Sequence, residues 1–440
     1  MEMESTNSPL QAAADAVPEA EGVAVAEVAV SHTEAPADAL PATPKKVKKQ
    51  YPALDLMKFM GILIVVWYHC RLIIVPNIRT DNSLDQYFFY LITTLVGPCV
   101  PFFFIVNGFL QFDKPLNLKK HLKTTWHFVW ITLIWSAITL FATLLARGYA
   151  FNFSIFGHHL FTLNPDGYPV SLKYFLKNTV LIKNLITDGQ TAWYYHLWFM
   201  GAMVILYLFF PLLKLAWDHD RKIYYFFLGA VFVIVFGNKA LNMCLNVFSW
   251  LLTGRNPARD FEGNMMYTGY NFLSIFNPFQ GIDGYIFVYF MLGAILKEKM
   301  DRFLEIFTVR RCIIGIILTT ACLYLYGYFM TKSTNVLWNS GDQYGNDIVF
   351  SLVRVLCIFG LACRYKGTGF GSRFIKYIAR NTLGIYFIHY VIRNLTYLKL
   401  QDLPIPGYFT KTTLYFIVVF AISWGIMEIM KRVPGLRRII

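Results

Sequence analysis

YPALDLMKFMGILIVVWYHC, residues 51–70, is the stretch that decides the class of this protein. Apart from Asp55, Lys58 and His69 it is apolar or aromatic. It has the length of about twenty residues that a helix needs to cross a hydrocarbon core. Runs of similar length and character recur along most of the 440 positions. The chain is 56% hydrophobic, 15% charged and 18% aromatic, with mean hydropathy +0.46. A soluble chain is about half apolar and about a quarter charged. Soluble helices also carry a polar face, and most of these runs have none. A soluble protein with a large core is therefore excluded. The expected fold is an all-α integral membrane protein, a bundle of about ten transmembrane helices.

Working outward from that stretch, the expected spans are residues 54–75, 86–112, 124–146, 193–216, 223–242, 274–296, 309–330, 347–364, 374–398 and 409–430. Basic residues stay on the cytoplasmic side of a membrane. An inside amino terminus puts twenty-four of the forty Lys and Arg residues in inner segments, among them Lys45, Lys46, Lys119, Lys120, Lys123, Arg310, Arg311 and Arg432. Both termini are thus expected in the cytoplasm. This topology accounts for the formal charge of +14, so nucleic acid need not be invoked. Residues 1–50 hold eight acidic residues and four lysines and no aromatic residue. They read as a disordered cytoplasmic tail, since they lack the apolar surface to fold alone and the apolar core of a signal peptide. Residues 51–432 read as the membrane domain and 433–440 as a short basic cytoplasmic tail. The outer loops of about 147–192 and 243–273 offer Phe151, His158, His159, Tyr168, Trp250 and Arg255, suited either to an acceptor platform or to packing over the bundle. Seven cysteines with no CxxC pair read as packing residues. No histidine–carboxylate spacing argues for a metal.

Lys58 and His69 stand eleven residues apart. At 100° per residue they differ by about 20° in direction and share one face, about 16 Å apart along the axis. Lys58 belongs near the inner surface and His69 deep, toward the outer half. Lys58 either snorkels to headgroups, pairs with Asp55 one turn earlier, or faces a cavity. His69 is either a hydrogen-bonded core histidine or part of that cavity. Ionisable groups inside a span are costly, and two on one stripe favour a shared polar cavity. Cys70, about 100° around the helix, points elsewhere.

The stretch LDLMKFMGILIVVWYH, residues 54–69, resembles the opening span of acyltransferase family 3, in which Arg or Lys, ten residues and His follow in order. Further segments agree in order: VPFFFIVNGFLQFDKP at 100–115, HLWFMGAMVILYLFFPLL at 196–213, VYFMLGAIL at 288–296 and LGIYFIHYVI at 383–392. Together they resemble the family over about residues 51–432. Asn107 stands where members usually have Ser, which leaves a hydrogen-bonding role and removes a hydroxyl one. Lys120 and Lys123 stand where members often have R-x-x-R, keeping charge but losing the fork that grips phosphate in two places. The fourth span lacks the glutamates of one large subgroup, and the chain ends at Ile440, matching the short members without an extracellular esterase-like domain.

The resemblance implies transfer of an acyl group, usually acetyl, from cytosolic acyl-CoA to a glycan or other envelope acceptor across the bilayer. It implies no bound cofactor, acetyl-CoA or another short acyl-CoA as co-substrate, and residence in the cytoplasmic membrane of a bacterium. Lys58, Lys120 and Lys123 would meet the phosphates of the donor, each as a point charge. The pantetheine arm would thread toward His69, which would act as general base, its imidazole being suited to proton transfer near neutral pH. A covalent acyl-histidine is the other mechanism left open. Asn107, Tyr68 or Trp67 could donate to the oxyanion. Arg354, within the eighth span, needs a partner or a cavity. His389, in the IYFIH segment, is a structural or a cavity histidine. His121, His127, His196 and His219 lie near span ends with no assigned chemistry. A transporter or lipid-linked-sugar flippase using the same cavity, and a non-catalytic membrane subunit, are the alternatives. Oligomeric state is not legible from the sequence.

Overall fold

Among the described residues the apolar runs form helices. The computed structural model describes residues 51–74, 83–97, 99–155, 158–171, 173, 175, 195–253, 284–334, 345–400 and 403–440. The expected disordered tail, residues 1–50, lies outside the described residues, as do most of 172–194 and 254–283. In chain order the helices are α1 (Pro52–Ile74), α2 (Leu84–Val96), α3 (Val100–Gln111) and α4 (Leu118–Ala146). A 3-10 turn, Tyr195–Leu197, runs into α5 (Trp198–His219). Next come α6 (Arg221–Phe232), a π turn at Val233–Gly237, α7 (Asn238–Thr253), α8 (Tyr285–Glu298), α9 (Met300–Ile306) and α10 (Val309–Thr334). The last are α11 (Val349–Ala362), α12 (Phe370–Arg380), α13 (Thr382–Leu400) and α14 (Tyr408–Arg432).

Among the described residues, seven helical segments are long and apolar enough to cross a membrane: Pro52–Arg71, Leu84–Gln111, Leu118–Ala146, Trp198–His219, Arg221–Leu245, Val309–Tyr328 and Tyr408–Arg432. The other expected spans hold helices of a different kind. α8 and α11 have 14 residues each, a rise of about 21 Å against a core of about 30 Å. α8 is walled in by protein, with every side chain from Tyr285 to Met291 buried. The span expected at 374–398 is divided at Asn381. α12 carries Arg373, Lys376 and Arg380 beside exposed Phe370 and Phe374, a composition for the membrane interface rather than its interior. The span expected at 86–112 is broken at Gly97–Cys99. Pro101 sits in the first turn of α3, where a missing N–H costs nothing.

The all-α expectation misses a small sheet. β1 (Tyr149–Ile155) pairs antiparallel with β2 (His158–Leu163) and parallel with β3 (Tyr168–Pro169), in the order β2-β1-β3. A bulge falls between Phe153 and Ser154, and Thr162 Oγ1 donates to Asn152 Oδ1 across the pair at 2.7 Å. Phe151 of β1 packs on Phe141 of α4 at 4.5 Å between rings, so the loop is tied to the bundle.

Two apolar cores meet at α1. Leu54 and Met57 join a core built from α3, α5, α6, α8 and α11. Ile62, Val65, Val66 and Cys70 join a second one with α4, α13 and α14. The two ends of α1 therefore serve different halves of the bundle. The first half is drawn tight by Gly108 and Gly293: a Cβ at Gly108 would overlap the Phe290 carbonyl, and one at Gly293 the Ile105 carbonyl. Small residues let membrane helices approach this closely. Residues 433–440, the expected short basic tail, pack on the bundle, with Trp135 Nε1 donating to Ile439 O at 2.6 Å and Ile440 against the second core.

Candidate active site

α1 is helical from Pro52 to Ile74, so Lys58 and His69 lie on one continuous helix as their spacing requires. Lys58 is half-buried, and among the described residues its ammonium makes no hydrogen bond or ion pair, Asp55 included. Tyr51, at the start of α1, meets Phe109 at the end of α3 (5.1 Å), while a Cβ at Gly61 would come within 2.9 Å of the Phe103 ring. The two helices are thus antiparallel. Lys297 at the end of α8 lies over Tyr51 and Phe109 (5.5 and 5.3 Å) and pairs with Asp113. α4 begins five residues after Asp113. Lys120 and Lys123, exposed on its first turns, therefore share the Lys58 end of the bundle.

The other end of α1 brings three histidines together. His69 Nδ1 lies 2.9 Å from His389 Nε2 of α13, and the two rings stack with centroids 5.1 Å apart. His196, from the turn before α5, stands edge-on to both, its ring centre 6.4 Å from His69 and 5.8 Å from His389. Tyr390 stacks on His196 at 4.0 Å, and Tyr386 donates its hydroxyl hydrogen to the His196 carbonyl. Arg393, one turn beyond His389, lies 4.0 Å over the Tyr390 ring and donates to the His69 carbonyl at 3.3 Å. His389 and His196 are 0% and 1% exposed, whereas His69 is half-buried.

Hydrogen bonding sets the tautomers. A carbonyl can only accept, so His389 Nδ1, 3.2 Å from Ile385 O one turn earlier, carries the hydrogen. The neutral His389 ring then has a lone pair at Nε2, which must accept from His69 Nδ1–H. That leaves the lone pair of His69 at Nε2, free of any protein partner among the described residues. A His–His pair anchored on a backbone carbonyl holds the ring here, with no carboxylate bonded to either imidazole among the described residues. Among the described residues no group of three His, Cys, Asp or Glu side chains is arranged to hold a metal ion.

The helix thus carries an oriented imidazole at one end and a half-buried lysine at the other. A family model for the acyltransferase domain matches residues 51–428. The chain belongs to acyltransferase family 3. Comparison with curated proteins and with solved structures yields no match.

In this membrane acyltransferase the remaining candidates separate by position. Trp67 is buried, its Nε1 donating to Thr413 of α14 at 3.3 Å and its ring against Phe89 and Phe409, so its donor is spent away from His69. Asn107 lies between the Phe103 and Phe109 levels, near the Lys58 end. It donates to Phe103 O at 2.8 Å, at a level away from His69. Tyr68 is half-buried, with Arg71 5.1 Å over its ring. Arg354 is fully buried and donates to Thr94 O, a carbonyl left open at the end of α2, and to Thr320 Oγ1 at 3.2 Å. It ties α2, α10 and α11 together rather than lining the site. His389 is brought to His69. His196, Tyr390 and Arg393 were not legible as site residues. The one sequence signal for His196 is its place at the head of the family segment HLWF.

Proposed function

We propose that this acyltransferase moves a short acyl group, acetyl by preference, from cytosolic acyl-CoA to a hydroxyl of an extracytoplasmic glycan or similar envelope acceptor, with His69 as general base. One observation carries the reading: of the three clustered histidines His69 is the least buried, and the bonds through His389 to Ile385 leave its Nε2 lone pair without a partner among the described residues. Lys58 supports it from the other end of α1, about 16 Å away, a separation that suits an extended pantetheine arm. Lys120 and Lys123 add positive charge for the donor's phosphates. In the step, Nε2 takes the proton of the acceptor hydroxyl as its oxygen attacks the thioester carbonyl. The tetrahedral intermediate collapses, the C–S bond breaks, and the thiolate recovers the proton from the imidazolium. Ten crossings with both termini in the cytoplasm, in a bacterial cytoplasmic membrane, complete the proposal. The excess of basic residues in the inner segments supports that orientation.

The test is transfer of labelled acetyl from acetyl-CoA to cell-surface glycan by cells or vesicles carrying His69→Ala at matched membrane levels. The expected result is loss of transfer by about 10²–10⁴-fold, the usual contribution of a positioned base. Transfer at the wild-type rate would refute the assignment.

A further inference from the structure

Burying an imidazole without hydrogen bonds is unfavourable, because both ring nitrogens give up water for nothing. His196 is in that condition. It is 1% exposed, and neither Nδ1 nor Nε2 has a partner among the described residues. The other buried histidine among the described residues is satisfied, His389 bonding His69 and Ile385, and even half-buried His121 meets Tyr207 O at 2.6 Å. The His196 ring is nevertheless held in place. Tyr390 stacks on it nearly parallel (13°) at 4.0 Å, and Tyr386 ties down its backbone carbonyl. A fixed polar ring with idle polar atoms beside an open base is what a site shows when the missing partner is substrate.

We infer that His196 is a second catalytic residue, donating a hydrogen bond to the thioester carbonyl oxygen as that oxygen becomes an oxyanion. The inference rests on the reading of His69 as base. Its geometry is that of the cluster: the His196 ring centre is 6.4 Å from that of His69 and perpendicular to it (82°). A ring nitrogen lies about 1.2 Å from its centroid, so nitrogens turned toward one another across this gap stand about 4 Å apart. Two oxygens on one tetrahedral carbon, each about 3 Å from its nitrogen, fit there. A neutral imidazole carries one N–H and suits the donor role. The attacking hydroxyl gives its proton to His69 Nε2, the new C–O bond forms, and the carbonyl electron pair moves onto the oxygen that His196 meets. When C=O re-forms the C–S bond breaks, the thiolate takes the proton back from His69, and His196 ends as it began. Of the donors expected from sequence, Trp67 donates to Thr413 and Asn107 to Phe103 O, so His196 would act in their place or beside Tyr68.

The experiment compares His196→Phe and His196→Gln with wild type and with His69→Ala, all purified in detergent, measuring kcat, the KM for acetyl-CoA and thermal stability. Phe keeps the stack on Tyr390 and removes the idle polar atoms, so the variant should melt no lower than wild type. Its kcat should fall about 10²–10³-fold, the loss typical of one oxyanion donor, with the KM for acetyl-CoA little changed. Gln, which keeps an N–H, should recover at least about tenfold over Phe. A Phe variant within threefold of the wild-type kcat overturns the inference. So does a Gln variant no better than Phe, or a Phe variant that melts lower, which would make His196 a structural residue. An inactive His69→Ala beside an active His196→Phe would sink this inference alone. An active His69→Ala would remove the base it depends on.

Discussion

Replacing His389 by Phe isolates the bond that orients the proposed base. His389 lies wholly inside the protein with both ring nitrogens engaged, by His69 and by the Ile385 carbonyl, so its effect must pass through His69. In the resting state the 2.9 Å contact is a bond between two neutral rings, contributing about 0.5–1.5 kcal/mol. When His69 takes the hydroxyl proton, the same bond has a charged donor and strengthens to about 1.5–3 kcal/mol. Only the part that grows toward the transition state, together with the lost tautomer bias, lowers the rate. At 1.36 kcal/mol per tenfold, a growth of about 1–1.5 kcal/mol is a fall of about 5- to 13-fold in kcat, which the lost tautomer bias deepens. Donor binding should not change, because the lysines lie at the opposite end of α1. His389→Gln keeps an acceptor oxygen near the position of Nε2 and should return part of the rate. Single-turnover acetyl transfer with saturating acetyl-CoA reads the chemical step directly. If His389→Phe stays within twofold of wild type while remaining folded, or if Gln is no better than Phe, the orientation of His69 through His389 is refuted.

Two further outcomes are expected. Lys58→Ala should raise the Kd of acetyl-CoA by about 10- to 150-fold, the value of one charge-assisted phosphate contact, without a matching fall in single-turnover rate at saturation; calorimetry that finds unchanged affinity removes Lys58 from the donor site. Gly108→Ala should destabilise the bundle by about 1–3 kcal/mol or more, because the atom it meets is the Phe290 carbonyl of a buried helix and cannot rotate away. A melting temperature in detergent equal to wild type would show that α3 and α8 can part without cost.

The difference between what was legible and what was not follows the range of each force. Spans such as α1, α4 and α14 could be read because lipid exposure demands a long apolar run, and that demand is local to the run. α8 and α11 fall short of the membrane thickness because neighbouring protein, not lipid, surrounds α8, and this is invisible along the chain. The division at Asn381 could be seen in hindsight from Arg373, Lys376 and Arg380, whose charges suit an interface. Donor chemistry alone marks Trp67 and Asn107, with Tyr68, as oxyanion candidates. The Trp67 and Asn107 donors serve Thr413 and Phe103, bonds that no spacing rule predicts.

By itself the sequence determined a multi-span membrane chain of this acyltransferase family, and a first helix with a lysine and a histidine on one stripe. Helical periodicity and the cost of charge in hydrocarbon act over a single segment, so one segment suffices to read them. Only the tertiary structure decided which histidines join His69. His389 and His196 lie 320 and 127 positions further along the chain, and only the packing of α1, α5 and α13 brings them within bonding or ring contact. The proton positions on His69 depend on that contact, because the tautomer of one ring is set by the carbonyl that holds the next.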